Sequence, residues 1–448
     1  MLLNFTAKNY KSFADEMCFS MVAAPKQNDL NYSLFKGKAG GQDYKIQCSS
    51  VVYGPNASGK SSIISAMDTF KAIILRGHIK NAETTNPNVA AAKLELIPNV
   101  SSTENRPVEF SIEFIDDSLL FKYTLSIDMG KFIDKDYHRS IVSEELYLNN
   151  NLVFKRSENG VMGHLKHIKE YLLFNPYDSK TMENIVNESL NDEELYLTNG
   201  FKVVFSRELV NIFTSWIEHK FIVVFRADSI KMVGKIPELN TGGLVIEERV
   251  NEAAKIFSSS TNDFGFMSDN DNDDSTTLCS VLATDDKNKR IIIPAEAFES
   301  YGTVRFVTLL PLVLKAFSTG ATLVIDEFDA SIHPSALMNI INMFHNDSVN
   351  KNHAQLIFNT HNPIFLNSNL FRRDEIKFVQ RNHDTGTSEV YSLSDFGTSG
   401  KKGVRNSTDY MKYYLNYNYG AIEDVDFTSV FENIVNDENS DTENNGGE

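Results

Sequence analysis

The sequence predicts an α/β fold built around a mostly parallel sheet, and three stretches carry that prediction. The first, Ser50-Val-Val-Tyr-Gly-Pro-Asn-Ala-Ser-Gly-Lys-Ser-Ser62 followed by Ile63-Ile-Ser-Ala-Met67, is a strand, a glycine loop and a helix in immediate succession. The second, Ala321-Thr-Leu-Val-Ile-Asp-Glu327, is a short apolar run ending in two carboxylates. The third, Gln355-Leu-Ile-Phe358 followed by Asn359-Thr-His361, repeats the pattern of apolar strand and polar end. Uninterrupted apolar runs suit strands buried on both faces, and parallel sheets gather ligands at the C-terminal ends of their strands.

The glycine loop is a phosphate cradle. In Gly54-Pro55-Asn56-Ala57-Ser58-Gly59-Lys60-Ser61-Ser62 the glycines let the backbone wrap closely, its N–H groups point inward, and the next helix presents its positive dipole end. Lys60 is expected to reach the β- and γ-phosphates, and the Ser61 hydroxyl to hold Mg2+. Apolar spacing at Ile63, Ile64 and Met67 gives that helix one face to bury.

The rest of the chain divides by texture. Residues 1–159 form an N-terminal lobe. In it, Leu3/Phe5/Ala7 and Met17/Phe19/Met21 alternate as a hairpin, and Val108 to Phe114, Leu120 to Ile127, Ser143 to Leu148 and Leu152 to Phe154 form an antiparallel β meander. Residues 160–276 read as a mainly helical inserted subdomain, with Phe221-Ile-Val-Val-Phe225 as a buried strand and no sustained heptads, so no long coiled coil is expected. Asp269, Asp271 and Asp273 invite a calcium-loop reading, but Asp274 and Ser280 stand where glycine and glutamate belong, leaving a solvated loop. Residues 277–425 form a C-terminal lobe, with a β pair near Thr277 and Ile293, an apolar helix to Phe317 and a Tyr-rich helix from Tyr410 to Tyr417; 426–448 is an acidic tail expected to be disordered.

Composition sets further bounds. A net charge of -17 over 448 residues argues against a surface that attracts nucleic acid in general. Cys18, Cys48 and Cys279 are isolated, which fits a reducing cytoplasm and no zinc or disulfide framework. Neither a signal peptide nor a membrane span is expected.

Hydrolysis of a nucleoside triphosphate needs a metal, a positioned water and charge neutralisation besides the phosphate loop. Asp326 is the candidate for Mg2+, Glu327 for polarising the attacking water, and His361 for contacting the γ-phosphate. Taken alone, paired acids often begin a helix and a lone histidine is often a core residue; with Lys60 they point together to an ATP site.

Tyr10-Lys-Ser-Phe13, Gly54 to Ser61, Glu299-Ser-Tyr-Gly-Thr303, Val324-Ile-Asp-Glu-Phe-Asp-Ala-Ser-Ile-His-Pro334 and Asn359-Thr-His361 occur in the order that resembles the ABC-type ATPase heads of the SMC, Rad50 and RecF lineage. Within that lineage the chain more closely resembles the OLD-like branch found in bacterial abortive-infection and anti-phage systems of the AbiL, Rlo and PARIS types. The resemblance implies a P-loop head that hydrolyses ATP with Mg2+ and forms a homodimer, with higher assembly open, that sandwiches ATP between one phosphate loop and the partner's signature segment. Ser300, Gly302 and Thr303 would be that signature, Asp329 would cross the seam, and Lys11 and Ser12 would approach the nucleotide from the side. It implies a companion effector, often a nuclease, encoded nearby. The alternative is a RecF-like DNA clamp lined by Lys401, Lys402 and Arg405 with Arg372, Arg373 and Lys377, which the net charge disfavours. The chain departs from transporter-type relatives in having no Gln between Ser61 and Ser300 to sense Mg2+; Glu113 is a substitute whose plainer reading is a strand-face carboxylate.

Overall fold

The computed structural model describes residues 1–25, 27, 30–80, 94–101, 104–131, 137–172, 179–225, 244–258, 261–268, 276–283, 290–398, 403–405, 407–423, 426–428 and 431–432. The Asp269 to Asp273 loop, Lys401 and Lys402, and the tail beyond 432 lie outside the described residues.

Strand β1 (Leu2–Lys8) pairs antiparallel with β2 (Met17–Ser20), and β3 (Leu34–Ala39) with β4 (Gln42–Gln47) as a separate ribbon. Strand β5 (Ser49–Tyr53) runs into the phosphate loop and helix α1 (Lys60–Arg76). The meander follows as β6 (Val108–Asp116), β7 (Leu119–Asp128), β8 (Ser140–Leu148), β9 (Asn151–Ser157) and β10 (Gly160–Gly163). With β1 and β2 it makes a seven-stranded sheet in the order β10-β9-β8-β7-β6-β1-β2.

Helices α2 (Ser179–Ser189) and α3 (Arg207–Ser215) precede β11 (Phe221–Val224), and α4 (Glu248–Ser258) lies between β12 (Leu244–Val245) and β13 (Asp263–Ser268). Strands β14 (Thr276–Ala283) and β15 (Arg290–Pro294) complete a four-stranded sheet in the order β12-β13-β14-β15. Helix α5 (Tyr301–Thr319) leads to β16 (Thr322–Ile325), α6 (Pro334–Phe344) to β17 (Gln355–Asn359), and the chain continues through β18 (Ile376–Arg381), β19 (Ser388–Ser392) and α7 (Tyr410–Leu415).

The segment 160–276 does not stand apart as a helical insertion. It supplies β10 to the seven-stranded sheet, β11 to the central sheet, and β12 and β13 to the four-stranded one. Packing explains this: Trp216, just after α3, stacks on Phe114 of the meander with ring centres 3.8 Å apart. From α1, Lys71 donates to the Phe221 carbonyl at 2.5 Å and the Glu218 carbonyl at 3.3 Å, fixing the turn into β11.

The central sheet has the order β11-β16-β17-β5-β18-β19, parallel except for the edge strand β19. Its side chains alternate between two cores. Val52, Val324, Ile357 and Val379 join α1 and the seven-stranded sheet, whereas Val51, Tyr53, Leu323, Ile325, Leu356 and Phe358 join α5 and α6. That two-sided burial is why these strands read as unbroken apolar runs. Helix α5 would suffice in length and mean hydropathy to cross a membrane, yet Phe306, Val307, Leu309, Leu310 and Val313 are buried in the second core.

A buried polar cluster closes the end of the central sheet away from the phosphate loop. Glu375 accepts from the Arg372 backbone N–H at 2.7 Å and from Ser49 Oγ at 3.3 Å, while Ser49 Oγ lies 2.7 Å from His345 Nε2. Burial raises the Glu375 carboxyl to about 8 and lowers the His345 imidazole to about 4. A carboxyl near 8 in the fold and about 4.3 in the unfolded chain keeps its proton only in the native state across that window. Its contribution to stability is complete below the unfolded value and is lost as pH rises towards 8. Glu375→Gln, which mimics the protonated form, is expected to reduce the loss in urea-unfolding stability between about pH 6 and about pH 9 by on the order of 2 kcal/mol. An unchanged alkaline loss would place its origin elsewhere.

Candidate active site

Three neighbouring strand ends build the site. Strand β17 lies between β16 and β5, so Asp326 after β16, Asn359 at the end of β17 and the loop after β5 stand side by side at one edge of the sheet. Strands in such a row are about 4.8 Å apart, close enough for short side chains to bridge them. Asn359 does so: its Nδ2 donates to Asp326 Oδ1 at 2.5 Å, and its Oδ1 accepts from the Glu327 N–H at 2.5 Å. Ser61 Oγ, from the first turn of α1, donates to the same Asp326 Oδ1 at 2.9 Å.

The loop itself is held from outside. Gly59 caps α1 at φ 112°, a conformation that favours glycine, and a Cβ there would press on the hydroxyls of Ser12 and Ser388. Ser388, at the start of β19, donates to the Ser58 carbonyl at 2.5 Å, and Arg381 Nη1 reaches the Ala57 carbonyl at 3.4 Å. Among the described residues, the buried hydroxyls of Ser12 and Ser58 have no hydrogen-bond partner. Asn56 and Ala57 are exposed, and Ala57 holds φ 59°, where an L residue costs about 1–2 kcal/mol.

Lys60 is buried and donates to the carbonyls of Gly54 and Pro55, each at 2.8 Å. Burial lowers its ammonium to about 8, against the opposing pull of Asp326, Glu327 and Asp329. The loop carbonyls give that cation partners that anionic oxygens would replace with stronger ones. Ser61 and Asp326 set a hydroxyl beside a carboxylate, the hard-oxygen pair that Mg2+ takes, and Mg2+ typically draws the rest of its shell from water and phosphate. Among the described residues no three His, Cys, Asp or Glu side chains gather as a metal cage.

Glu327 is exposed and left-handed, at φ 50°. Besides Asn359 on its N–H, Arg305 Nη2 of α5 donates to its carbonyl at 2.5 Å. His361 lies exposed past the end of β17; partial enclosure and then the Lys60 charge hold its imidazole below the usual value, with Asp329, Glu327 and Asp326 acting against them.

Ser300 caps α5, accepting from the Thr303 N–H at 3.1 Å, with its Oγ 2.9 Å from Thr303 Oγ1. Gly302 is required for close approach, since a Cβ there would collide with the Ser331 carbonyl in the loop that also holds Asp329. Ser300 is itself exposed. Lys11 turns to Glu95 at 2.6 Å and to Ser65 Oγ at 2.5 Å, one helical turn beyond the phosphate loop. Glu113 lies on β6 and accepts from Asn4 Nδ2 at 2.6 Å, as an ordinary strand-face carboxylate does.

The cluster Arg372, Arg373 and Lys377 corrects the sequence reading. All three are buried, at 2%, 3% and 6% exposure, and so do not line a DNA groove. Arg372 Nε pairs with Asp374 at 2.9 Å, Arg373 donates to the Leu393 and Phe396 carbonyls, and Lys377 donates to the Asp374 carbonyl at 3.0 Å. Of that set Arg405 is described and exposed, its Nε on the Thr398 carbonyl at 3.1 Å. Sequence reasoning did not single out Asn359 as a bridge, or Arg305 and Arg381. Asn359 had a signal, an amide at the end of a buried strand beside the carboxylate strand; the arginines had none.

A phosphate loop at the end of a parallel strand, with a hydroxyl–carboxylate pair two strands across, defines a P-loop nucleotide-binding α/β protein. The chain belongs to the P-loop ATPase family described as "AAA domain, putative AbiEii toxin, Type IV TA system", whose model matches residues 49–367. No curated protein matches the chain. Among solved structures, the Smc head bound to the C-winged helix domain of ScpA is similar at a TM-score of 0.40 and 14% identity, covering 88% of this chain and 98% of that one.

Gly302→Ala tests the packing of α5 on the Ser331 loop. It is expected to lower ATP turnover about tenfold or more while leaving the affinity of the phosphate loop for nucleotide within about twofold, because the shift falls on Glu327 and not on Lys60. Turnover and fluorescent-nucleotide titration measure the two; equal losses in both would count against this division.

Proposed function

We propose that this chain is an ATP-hydrolysing switch that dimerises on ATP and controls a separate effector in bacterial anti-phage defence. The observation that carries the proposal is the hydrogen-bonded array of Ser61, Asp326, Asn359 and Glu327 beside the buried Lys60. Lys60 releases the Gly54 and Pro55 carbonyls to take the β- and γ-phosphates, and the amides of Asn56 to Ser62 wrap them. Ser61 and Asp326 hold Mg2+, which when bound neutralises phosphate charge. Glu327 accepts the proton of the attacking water, and His361, with a lowered pKa and so neutral at pH 7, orients that water and the γ-phosphate.

Ser300 and Thr303 form an anion-ready helix start on a helix 19 residues long. Among the described residues no hydrogen bond joins this start to the phosphate loop of the same chain, which supports a second subunit's nucleotide as its ligand. Asp329 then lies at the seam. Ser12 flanks the nucleotide, and Lys11 would have to leave Glu95 to do so. The family's description as a putative toxin of a toxin–antitoxin system supports a role in bacterial conflict, and a nucleotide-closed dimer gives such a system its two states. The DNA-clamp alternative loses three of its basic residues to burial.

Glu327→Gln is expected to lower ATP turnover by about a hundredfold or more and to accumulate an ATP-bound dimer on size-exclusion chromatography with light scattering. Lys60→Ala is expected to remain in its ATP-free state under the same conditions. If Glu327→Gln with ATP stays indistinguishable from Lys60→Ala, the ATP-driven dimer is wrong. Affinity purification of Glu327→Gln from a host carrying the neighbouring genes, with and without ATP, then tests the effector: a stoichiometric protein lost on ATP removal supports the switch, and duplex DNA alone, retained only with ATP, supports the clamp.

A further inference from the structure

The end of the central sheet remote from the phosphate loop carries a groove of about 900 Å³ between the β3–β4 ribbon and the loop from α6 to β17. Nothing in the ATP reading uses it. Strand β5 alone separates the two ends by roughly 16 Å, five residues at about 3.3 Å each.

Charge is the groove's first feature. Lys36 of β3 stands directly across from Lys45 of β4, and both are exposed. Like charges directly opposite destabilise a ribbon, and the neighbouring pair on the same face, Lys38 with Asp43, is complementary by contrast. Lys351 adds a third ammonium from the opposite wall, against Asp347 as the one carboxylate of the lining among the described residues. None of the three lysines has an ion pair or side-chain hydrogen bond among the described residues. In a chain of net charge -17, three cations around one groove with no partner among the described residues mark a place for an anion.

The second feature is a ring platform. His353, held at φ 59°, lies over Phe35 with ring centres 4.6 Å apart; Phe35 is buried and His353 exposed, so the imidazole has a face left for another ring. The third is rigidity. Buried Asn350 donates to the Phe344 and Ala354 carbonyls at 2.8 Å and accepts from the Ala354 N–H at 2.7 Å, so the wall that carries Lys351 and His353 is preformed.

We propose that this groove binds a single-stranded nucleic acid, with Lys36, Lys45 and Lys351 on backbone phosphates and His353, backed by Phe35, stacking on a base. A charged track beside a ring is how single strands are held without base-edge reading. An acidic peptide would satisfy the lysines and leave the ring unused.

The test is fluorescence anisotropy of a labelled oligothymidylate of about twelve nucleotides against the full chain without ATP. Three phosphate contacts predict a log–log salt slope near −2, so affinity should fall about twentyfold between roughly 50 and 200 mM salt. The double variant Lys36→Glu/Lys45→Glu should lose about tenfold or more in affinity and flatten that slope, with ATP turnover and melting temperature unchanged. His353→Ala should lose about fivefold or more without changing the slope. The proposal fails if the oligonucleotide does not bind, if the lysine variant binds as the parent does, or if polyglutamate displaces the oligonucleotide at equal charge, which would assign the groove to an acidic protein. It is independent of the ATP switch: Lys60→Ala should keep oligonucleotide binding, and failure at the groove leaves ATP-driven dimerisation standing.

Discussion

The site depends on one buried carboxylate. Asp326 is 5% exposed and accepts at a single oxygen from both Ser61 and Asn359. Removing either donor would leave a buried acceptor short of partners, a loss worth about 1–3 kcal/mol, and would cut the connection between α1 and the ends of β16 and β17. The next residue is organised from the same place. Asn359 spends its amide nitrogen on Asp326 and its oxygen on the Glu327 backbone, so one side chain sets the spacing of the two acids.

Around that carboxylate the backbone is strained, and every strained position is held by a segment far away in sequence. Ala57, Glu327 and Ser331 all have left-handed φ values without being glycine. Each such residue costs about 1–2 kcal/mol unless surrounding structure enforces it. Ala57 and its neighbour Ser58 are held by Arg381 and Ser388, and Glu327 by Asn359 and Arg305. Ser331 packs against Gly302. The geometry at the phosphate loop is therefore a property of the folded segments that carry Arg381 and Ser388 as much as of the loop's own residues.

This explains what was legible in the sequence. The strands β5, β16 and β17 were readable because burial on two faces writes an unbroken apolar run, and the phosphate loop because glycine spacing is dictated by backbone approach. The β meander was readable from alternation, since one face packs on α1 and the other meets solvent. The helical segment was misread as separate because periodicity reports that a face is buried but not against what: Trp216 pairs with Phe114 about a hundred residues earlier. Arg372, Arg373 and Lys377 were misread for a related reason. A run of basic residues is a surface feature by default; Asp374 beside it was visible in the sequence, but only the fold buries the run and brings the Leu393 and Phe396 carbonyls to Arg373.

The same physics links the exposed start of α5 to the acid that would activate water. Ser300 lies at the surface, but Gly302 and Arg305, two and five residues on, touch the Ser331 and Glu327 carbonyls. A ligand docked on Ser300 would therefore press on a helix whose first two turns are packed against both ends of the Glu327 to Ser331 loop. The loop has little freedom to absorb such a push, because Asp326 pins its start through Ser61 and Asn359. A shift of α5 would therefore reach the Glu327 carbonyl through Arg305. Packed interiors deform in discrete steps and not continuously, which makes this loop the natural place for a two-state response.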